Sequence, residues 1–589
     1  MILVFGGTTE GRKAVEVLEE AGKPFYYSTK TGEQDITLQN GLRIDGAMDR
    51  NRMSAFCREH DIRLIVDAAH PFARLLHQTV AEAADEVGIP AIRYERLFPP
   101  RDSDITWIDD YSELTTQHLE HKTLLATTGV QSIARLKPLE QQGVRVVYRI
   151  LPRESSIIAA HQQGATDDQL CFYESGDNID IEADAILLKE SGITGGFQEK
   201  VEAARRRGMH ILALRRPTLP TLFHQVNGPH GLRRMVERLL PEFYPLHSGL
   251  TTGTCATAAA VAATRRLLHG ETPQEVPVVL PDGETISVAV GYGDGYAYCI
   301  KEAGDDPDVT NGIEVRASVE RAEHFEIYGG EGVGVFTLPG FDFPPGEAAI
   351  NKAPRKMIEE NITRLISQTS ALNLQVSVTI SVPQGAEIAH RTFNPRLGIE
   401  GGISIIGVSG IVKPFSEEAF ISSIHKCMQV AKASGTERVV INSGAKSERF
   451  VKALYPTLPR QAFVEYGNYI GETLKMAEEL RFKSITLGVM LGKAVKLAAG
   501  QLDTHSRRAT MDRAFIQQML SEAGCQFSLA DLTLARELWQ LLPKERIGDF
   551  TRVVIDHCAA HCLPLVPHCR LTILLIDDDG HIYERPAAT

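Results

Sequence analysis

A β-rich run from Met1 to Phe5 leads into Gly6-Gly7-Thr8-Thr9-Glu10-Gly11-Arg12 and then into a helical pattern. Backbone N–H groups thus gather at a helix start beside glycines that permit close approach, a cradle suited to a pyrophosphate. The spacing is not G-x-G-x-x-G, and a plain tight β–α turn reads the same way. The next strand ends in Ser28-Thr29-Lys30. A carboxylate at that place selects a free ribose 2′-hydroxyl, whereas hydroxyls and an ammonium accept a 2′-phosphate, which points to NADPH. Asp67-Ala68-Ala69-His70-Pro71-Phe72-Ala73 follows a third strand, where the ligand-facing loops of an open sheet collect. His70 there is either catalytic or a structural loop histidine. Thr127-Thr128-Gly129 and Lys189-Glu190-Ser191-Gly192 end strands of a later series, with Lys189 and Ser191 as expected substrate contacts across the same cleft.

A second group of motifs begins at Thr251-Thr252-Gly253-Thr254-Cys255, which opens an alanine-rich helix to Arg266. Hydroxyls of Thr251, Thr252 and Thr254 at a positive dipole end predict an anion site, while Cys255 reads as a small packed residue. Lys301 to Thr310 packs Asp305, Asp306 and Asp308 into one turn without calcium-loop spacing. Asp305, Asp306 and His505 are candidates for proton transfer, or else capping and turn residues. Lys352, Arg355, Arg396, Lys413, Lys493 and Arg507 are candidate partners for carboxylates, or else solvated surface. His557, Cys558, His561, Cys562, His568 and Cys569 can be written as a zinc set. Val554, Ile555, Cys558 and Cys562 share one helical face, however, so packed thiols are the preferred reading and no metal is expected.

The elements that must hold these groups follow from periodicity. Up to about Leu240, strands at Met1 to Phe5, Pro24 to Tyr27, Arg63 to Asp67 and Ala91 to Tyr94 alternate with amphipathic helices. A second series comprises Thr123 to Ala126, Val144 to Tyr148, Ala185 to Lys189 and His210 to Leu214. Two Rossmann-like parallel α/β lobes are expected, at about 1–118 and 119–243, with a cleft between them. Pro241 to Gly249 breaks the pattern. Residues 244–589 then read as a mixed α+β part followed by an α/β region from Ser416, with strands near Arg438 to Ile441, Ala462 to Glu465 and Ser484 to Val489.

The chain has 589 residues, 43% hydrophobic and 23% charged, a composition of ordinary globular domains. Its formal charge of -13 disfavours nucleic acid and anionic membranes as partners. No run approaches the roughly twenty apolar residues of a membrane span, and the first strand lacks the features of a signal peptide. Nine scattered cysteines fit reduced thiols and a cytoplasmic location. Oligomeric state stays open between monomer and homo-oligomer.

GGTTEGR, DAAHPFA, TTG, KESGITGG and ALRRP, in this order over some 240 residues, resemble the precorrin-6A reductase family. The resemblance implies hydride transfer from NADPH to a carbon–carbon double bond of a corrin precursor. TTGTC, with Asn442-Ser443-Gly444, Glu465-Tyr466-Gly467-Asn468-Tyr469, Gly492-Lys493 and Asp503-Thr504-His505-Ser506-Arg507, resembles the cobalt-precorrin-5B C1-methyltransferase family. That implies transfer of a methyl group from S-adenosylmethionine to carbon C1 of a cobalt-containing tetrapyrrole, with Gly444, Gly467 and Asn468 expected around the adenosyl group. Asn311 stands where many relatives are expected to carry histidine. The product of the second activity is the substrate of the first, so the two expectations cohere. A reductase-like half of other specificity, or a tetrapyrrole carrier that lost its chemistry, are the alternatives, and turnover distinguishes them.

Overall fold

The computed structural model describes residues 1–30, 36–114, 123–173, 181–369, 374–505, 510–526, 529 and 532–586. The chain divides into two compact units. One holds residues 1–248 together with 277–287, and the other holds 249–276 and 288–589.

The first unit contains two six-stranded parallel sheets, as the βα alternation predicts. Its strands are β1 Ile2–Phe5, β2 Phe25–Thr29, β3 Gly41–Asp45, β4 Leu64–Asp67, β5 Ala91–Glu95, β6 Thr106–Ile108, β7 Thr123–Ala126, β8 Arg145–Ile150, β9 Leu170–Phe172, β10 Ala185–Lys189, β11 His210–Leu214 and β12 His224–Asn227. The sheet orders are β12-β5-β4-β1-β2-β3 and β6-β11-β10-β7-β8-β9. Simple lobes split near residue 118, a point outside the described residues, are therefore corrected. β6 joins the second sheet, and β12 returns to the first. The helix Gly228–Leu239 returns with it, because Leu232, Val236 and Leu240 bury against Val4, Leu18 and Tyr94.

Central to the second unit is the helix Thr252–His269, whose residues are buried from Thr252 through Thr264. Its alanines leave so little bulk that it packs closely on the strands Ala297–Ile300 and Glu314–Ala322 and on the helix Lys352–Ser367. Gly270, at φ 70°, ends it in the left-handed conformation that glycine tolerates. The later α/β region forms a sheet in the order 463–465, 438–442, 484–490, 570–576 and 582–586, parallel except for the last strand. Cys558, Cys562 and Cys569 all lie in its hydrophobic core. His557 and His568 turn to Glu522 and Glu478 instead of sharing a metal position with the thiols. No helix among the described residues is long and apolar enough to cross a membrane.

Candidate functional site

In the first unit, the turn after β1 is built by close backbone approach. A Cβ on Gly6 would fall 2.1 Å from Tyr27 Oη, and one on Gly11 would fall 2.8 Å from Gly6 Cα. Gly7 turns at φ 91° with open space beyond it, and its N–H donates to Tyr27 Oη at 3.1 Å. Thr8 caps the helix Thr9–Glu19 by accepting from the Gly11 N–H at 3.0 Å, and it donates to the Ala68 carbonyl at 2.7 Å. Its hydroxyl is thus committed to structure, as are the N–H groups of Gly6, which donates to the Ser28 carbonyl at 3.0 Å, and of Gly7, so the turn offers a ligand close approach to the helix start and not open glycine N–H groups. β2 runs two residues beyond the expected Tyr27, which draws Ser28 and Thr29 into the sheet. Thr29 Oγ1 donates to Asp45 Oδ1 at 2.9 Å, which ties the end of β2 to the end of β3. Lys30 remains exposed.

The loop after β4 rests on buried charge. Asp67 takes Arg93 Nη1 at 2.8 Å and His77 Nδ1 at 2.5 Å, all three being buried, and anchors the Ala69 N–H at 3.1 Å. His70 Nδ1 accepts the Phe72 N–H at 3.2 Å, which leaves the ring proton on Nε2. Burial, then the charges of Arg96 and Lys189, push His70 down to about 4. The ring is therefore neutral at pH 7 and carries no ready imidazolium proton. Lys189 lies 5.3 Å from the Phe72 ring centre, and burial with Arg135 lowers its pKa. Arg96 joins Glu10 Oε2 at 2.9 Å to the Ser191 carbonyl at 2.9 Å, and Thr194 also donates to Glu10. Burial opposes ionisation of Glu10, yet the Thr194 bond and Arg96 hold it below the ordinary carboxylate range. Ser191 Oγ donates to the Gly195 carbonyl at 3.1 Å, so this hydroxyl shapes its own loop. The two loops and the glycine turn thus form one site inside the first unit.

In the second unit, the expected anion site at Thr251-Thr252-Gly253-Thr254 is filled by the chain itself. Thr251 accepts from the Thr254 N–H at 3.2 Å. Thr252 Oγ1 accepts from the Ile406 N–H at 2.8 Å, and the Gly253 N–H donates to the Ile406 carbonyl at 2.9 Å. Thr254 Oγ1 donates to the Gly410 carbonyl at 2.6 Å. These hydroxyls dock the helix on the 404–411 loop and leave no N-terminal cradle for a ligand. Asp306 accepts the Phe415 N–H at 2.9 Å, and Asp305 is exposed. Asp308 holds the buried Lys301 at 2.7 Å, and Asn311 accepts the Ala303 N–H at 2.9 Å, so most of this turn is scaffold. Arg355 bonds the carbonyls of Ile350 and Ala348 at 2.9 and 3.2 Å, which makes it a clamp on its own helix start. Arg396 stands 2.9 Å from Glu448, at ion-pair distance but not aligned for a hydrogen bond. Lys352 and Lys413 are exposed, and Arg507 lies outside the described residues.

A crevice does open in the late α/β sheet. Its strand order reverses around Arg438–Asn442, with Phe463–Glu465 on one side and Ser484–Met490 on the other. Beyond their carboxyl ends lies a cavity of about 400 Å³ lined by Ser443, Asn468, Met490, Lys493, Thr504 and His505, among others. Sheets of this kind bind ligands at such a reversal. Lys493 donates to the Gly467 carbonyl, and burial lowers it to about 8 against the opposing charge of Glu465. Gly444, at φ 148°, caps the helix Ala445–Leu454, and its N–H donates to Asn442 Oδ1 at 3.1 Å.

Among known proteins, the chain is similar to the cobalt-precorrin-5B C(1)-methyltransferase of Prosthecochloris aestuarii. The two are 42% identical over 353 residues, which cover 57% of this chain and 95% of that protein. The chain belongs to the cobalt-precorrin-5B C(1)-methyltransferase family. Family models named CbiD and CbiD, C-terminal domain, match residues 241–414 and 503–586. The model named Precorrin-6x reductase CbiJ/CobK matches residues 1–230. Among solved structures, a cobalamin biosynthesis protein (cbiD) from Archaeoglobus fulgidus is 33% identical, covering 45% of this chain and 83% of its own, with a TM-score of 0.27. A CobK precorrin-6A reductase is 17% identical, covering 41% and 97%, with a TM-score of 0.33. This C1-methyltransferase family member thus also matches a precorrin reductase model over its first 230 residues.

Asn468 and His505, singled out in the sequence, both line this cavity, with Gly444 and Gly467 on the strand-end loops beside it. His77, Arg93, Arg96 and Glu10, which tie the loops after β4 and β10 to the glycine turn, carry no sequence signal of that role. Asp67 and His77 are ten positions apart across a strand end and a helix, and no period marks such a pair.

Proposed function

We propose that this chain performs two consecutive steps of corrin construction. The C-terminal part methylates cobalt-precorrin-5B at C1 with S-adenosylmethionine, giving cobalt-precorrin-6A. The N-terminal part reduces that product with NADPH to cobalt-precorrin-6B. The observation that carries the reading is the presence, on one chain, of a precorrin-5B methyltransferase match and a precorrin-6 reductase match, since the first family's product is the second's substrate.

The residues present fit both cofactors. Ser443, Asn468 and Lys493, with Gly444 and Gly467 beside them, would hold the methyl donor, which supplies an electrophilic methyl group when bound. The turn at Gly6 and Gly7 would let the pyrophosphate of NADPH approach the helix start at Thr9, with the exposed Lys30 near its 2′-phosphate, and the nicotinamide would supply hydride. The protein's own work is alignment and exclusion of water. His505 lines the cavity and would take a proton there. Asp306 is a backbone anchor instead, and Asp305 is not among the cavity's lining residues. In the reductase part, Lys189 would meet a macrocycle carboxylate, while neutral His70 would donate one hydrogen bond from Nε2. Cobalt would enter within the substrate.

The test is anaerobic incubation with cobalt-precorrin-5B and S-adenosylmethionine, followed by NADPH, with macrocycle mass read at each stage. A gain of one methyl, then of two hydrogens only after NADPH, is the expected result. Methylation alone would remove the reductase assignment, and no change in mass would remove both.

A further inference from the structure

We propose that Glu465, at the end of the strand Phe463–Glu465 beside the 400 Å³ crevice, fixes the ribose of the methyl donor by accepting hydrogen bonds from its 2′- and 3′-hydroxyls. This rests on the reading that the crevice takes S-adenosylmethionine.

The first argument is position. The strand Arg438–Asn442 runs into Ser443-Gly444 and the helix Ala445–Leu454, and the chain returns as the parallel strand Phe463–Glu465. Asn442 and Glu465 are register partners at the carboxyl ends of these two strands. In dinucleotide-binding βαβ units, an acidic residue about 20 residues beyond the glycine turn, at the end of the second strand, receives the ribose hydroxyls. Glu465 occupies that place relative to Gly444, 21 positions on (465 minus 444).

The second argument is the unfilled bonding capacity of the side chain. Glu465 is half-buried, yet its carboxylate accepts no hydrogen bond and makes no ion pair among the described residues. The neighbouring cations are committed elsewhere, Arg396 to Glu448 and Lys493 to the Gly467 carbonyl. Burial raises the Glu465 pKa, with Arg396 opposing and Glu448 adding to the shift, which is the state of a carboxylate short of donors. A vicinal diol supplies two donors in the geometry that one carboxylate accepts.

The third argument is access. A Cβ at residue 444 would stand 3.2 Å from Glu465 Oε1, so glycine there keeps the face of the carboxylate clear. Ser443 and Asn468, on the loops that follow the same two strands, line the cavity itself.

Calorimetric titration of the full chain with S-adenosylhomocysteine and with its 2′-deoxy and 3′-deoxy counterparts tests this. The unaltered protein should prefer the ribose form by about tenfold or more, the scale of a hydrogen bond to a charged group. Glu465→Ala should bind all three equally, and the isosteric Glu465→Gln should keep only a part of the preference. Circular dichroism establishes that each variant is folded, and Glu465→Gln carries the test if the alanine variant is not. A full ribose preference surviving in the folded variants would overturn the assignment, as would its absence from the unaltered protein. If S-adenosylhomocysteine does not bind at all, the methyl-donor reading falls and this assignment falls with it.

Discussion

Lys189 Nζ, at the end of β10, stands 5.3 Å from the centre of the Phe72 ring in the loop after β4. This contact joins the carboxyl edge of one parallel sheet to that of the other inside the first unit. A lysine against an aromatic face, with no carboxylate partner among the described residues, keeps its positive end available at the cost of desolvation. The loops carrying both residues also meet through Arg96, which spans from Glu10 to the Ser191 carbonyl. Two sheets and three loops are thereby held around one ammonium, and substrate carboxylates are what such a group would recognise.

Lys189→Met should therefore raise the KM of the reductase step for its macrocycle by about tenfold or more, the loss expected for one charge-assisted hydrogen bond. Steady-state kinetics of the two steps on the same preparation make the check, because methyl transfer should be unchanged. Thermal stability should hold or rise, since the substitution removes a half-buried charge that lacks an ionic partner.

His70 should make the first unit acid-sensitive in a defined window. Its folded pKa, about 4, lies below the ordinary 6.5, so between these values the unfolded chain binds the extra proton. Stability is complete above pH 6.5 and falls as pH drops toward 4, by on the order of 3 kcal/mol at most before solvent screening. Urea unfolding of a His70→Asn variant at pH 7 and pH 4.5 should show a smaller loss than the unaltered protein. Equal losses would mean that the ring is not buried among these cations.

The parallel sheets of the first unit were legible because each strand is a short apolar run followed by a helical pattern. β6 and β12 were not. β12 is His224-Gln225-Val226-Asn227, a polar segment that becomes a strand only because β5 offers it an edge. The glycine turn at Gly6 could be read locally, because close approach and positive φ are demands on single residues. The hydroxyls of Thr252 and Thr254 could not, because their partners lie some 150 positions later, at Ile406 and Gly410. Asn468 and His505 were legible as loop residues, but the crevice that joins them follows from a strand order that no single segment encodes.

Thr254→Val tests the reassignment of that helix start. The hydroxyl is fully buried and donates to the Gly410 carbonyl, which also accepts the Thr251 N–H, so the isosteric methyl removes one of two bonds to this acceptor. The expected cost is about 0.5–1.5 kcal/mol in unfolding free energy. Affinity for S-adenosylhomocysteine, measured by calorimetry, should be unaltered. Weakened binding with unchanged stability would instead restore a ligand role to the threonine cluster.

Lys493 should leave a signature in how the crevice discriminates charge. Burial brings its pKa to about 8, so the side chain is mostly cationic at pH 7 and mostly neutral at pH 9. S-adenosylmethionine carries a sulfonium charge that S-adenosylhomocysteine lacks, and both share the same α-amino and carboxylate groups. As pH rises through 8, repulsion of the sulfonium should fade, and affinity for S-adenosylmethionine should gain on that for S-adenosylhomocysteine. The gain should be about threefold or more, given the strength of like-charge repulsion in a partly buried site. Taking the ratio of the two dissociation constants cancels titration of the shared groups. The ratio should be flat with pH in Lys493→Gln. A flat ratio in the unaltered protein would put the sulfonium away from Lys493 and turn the donor around within the cavity.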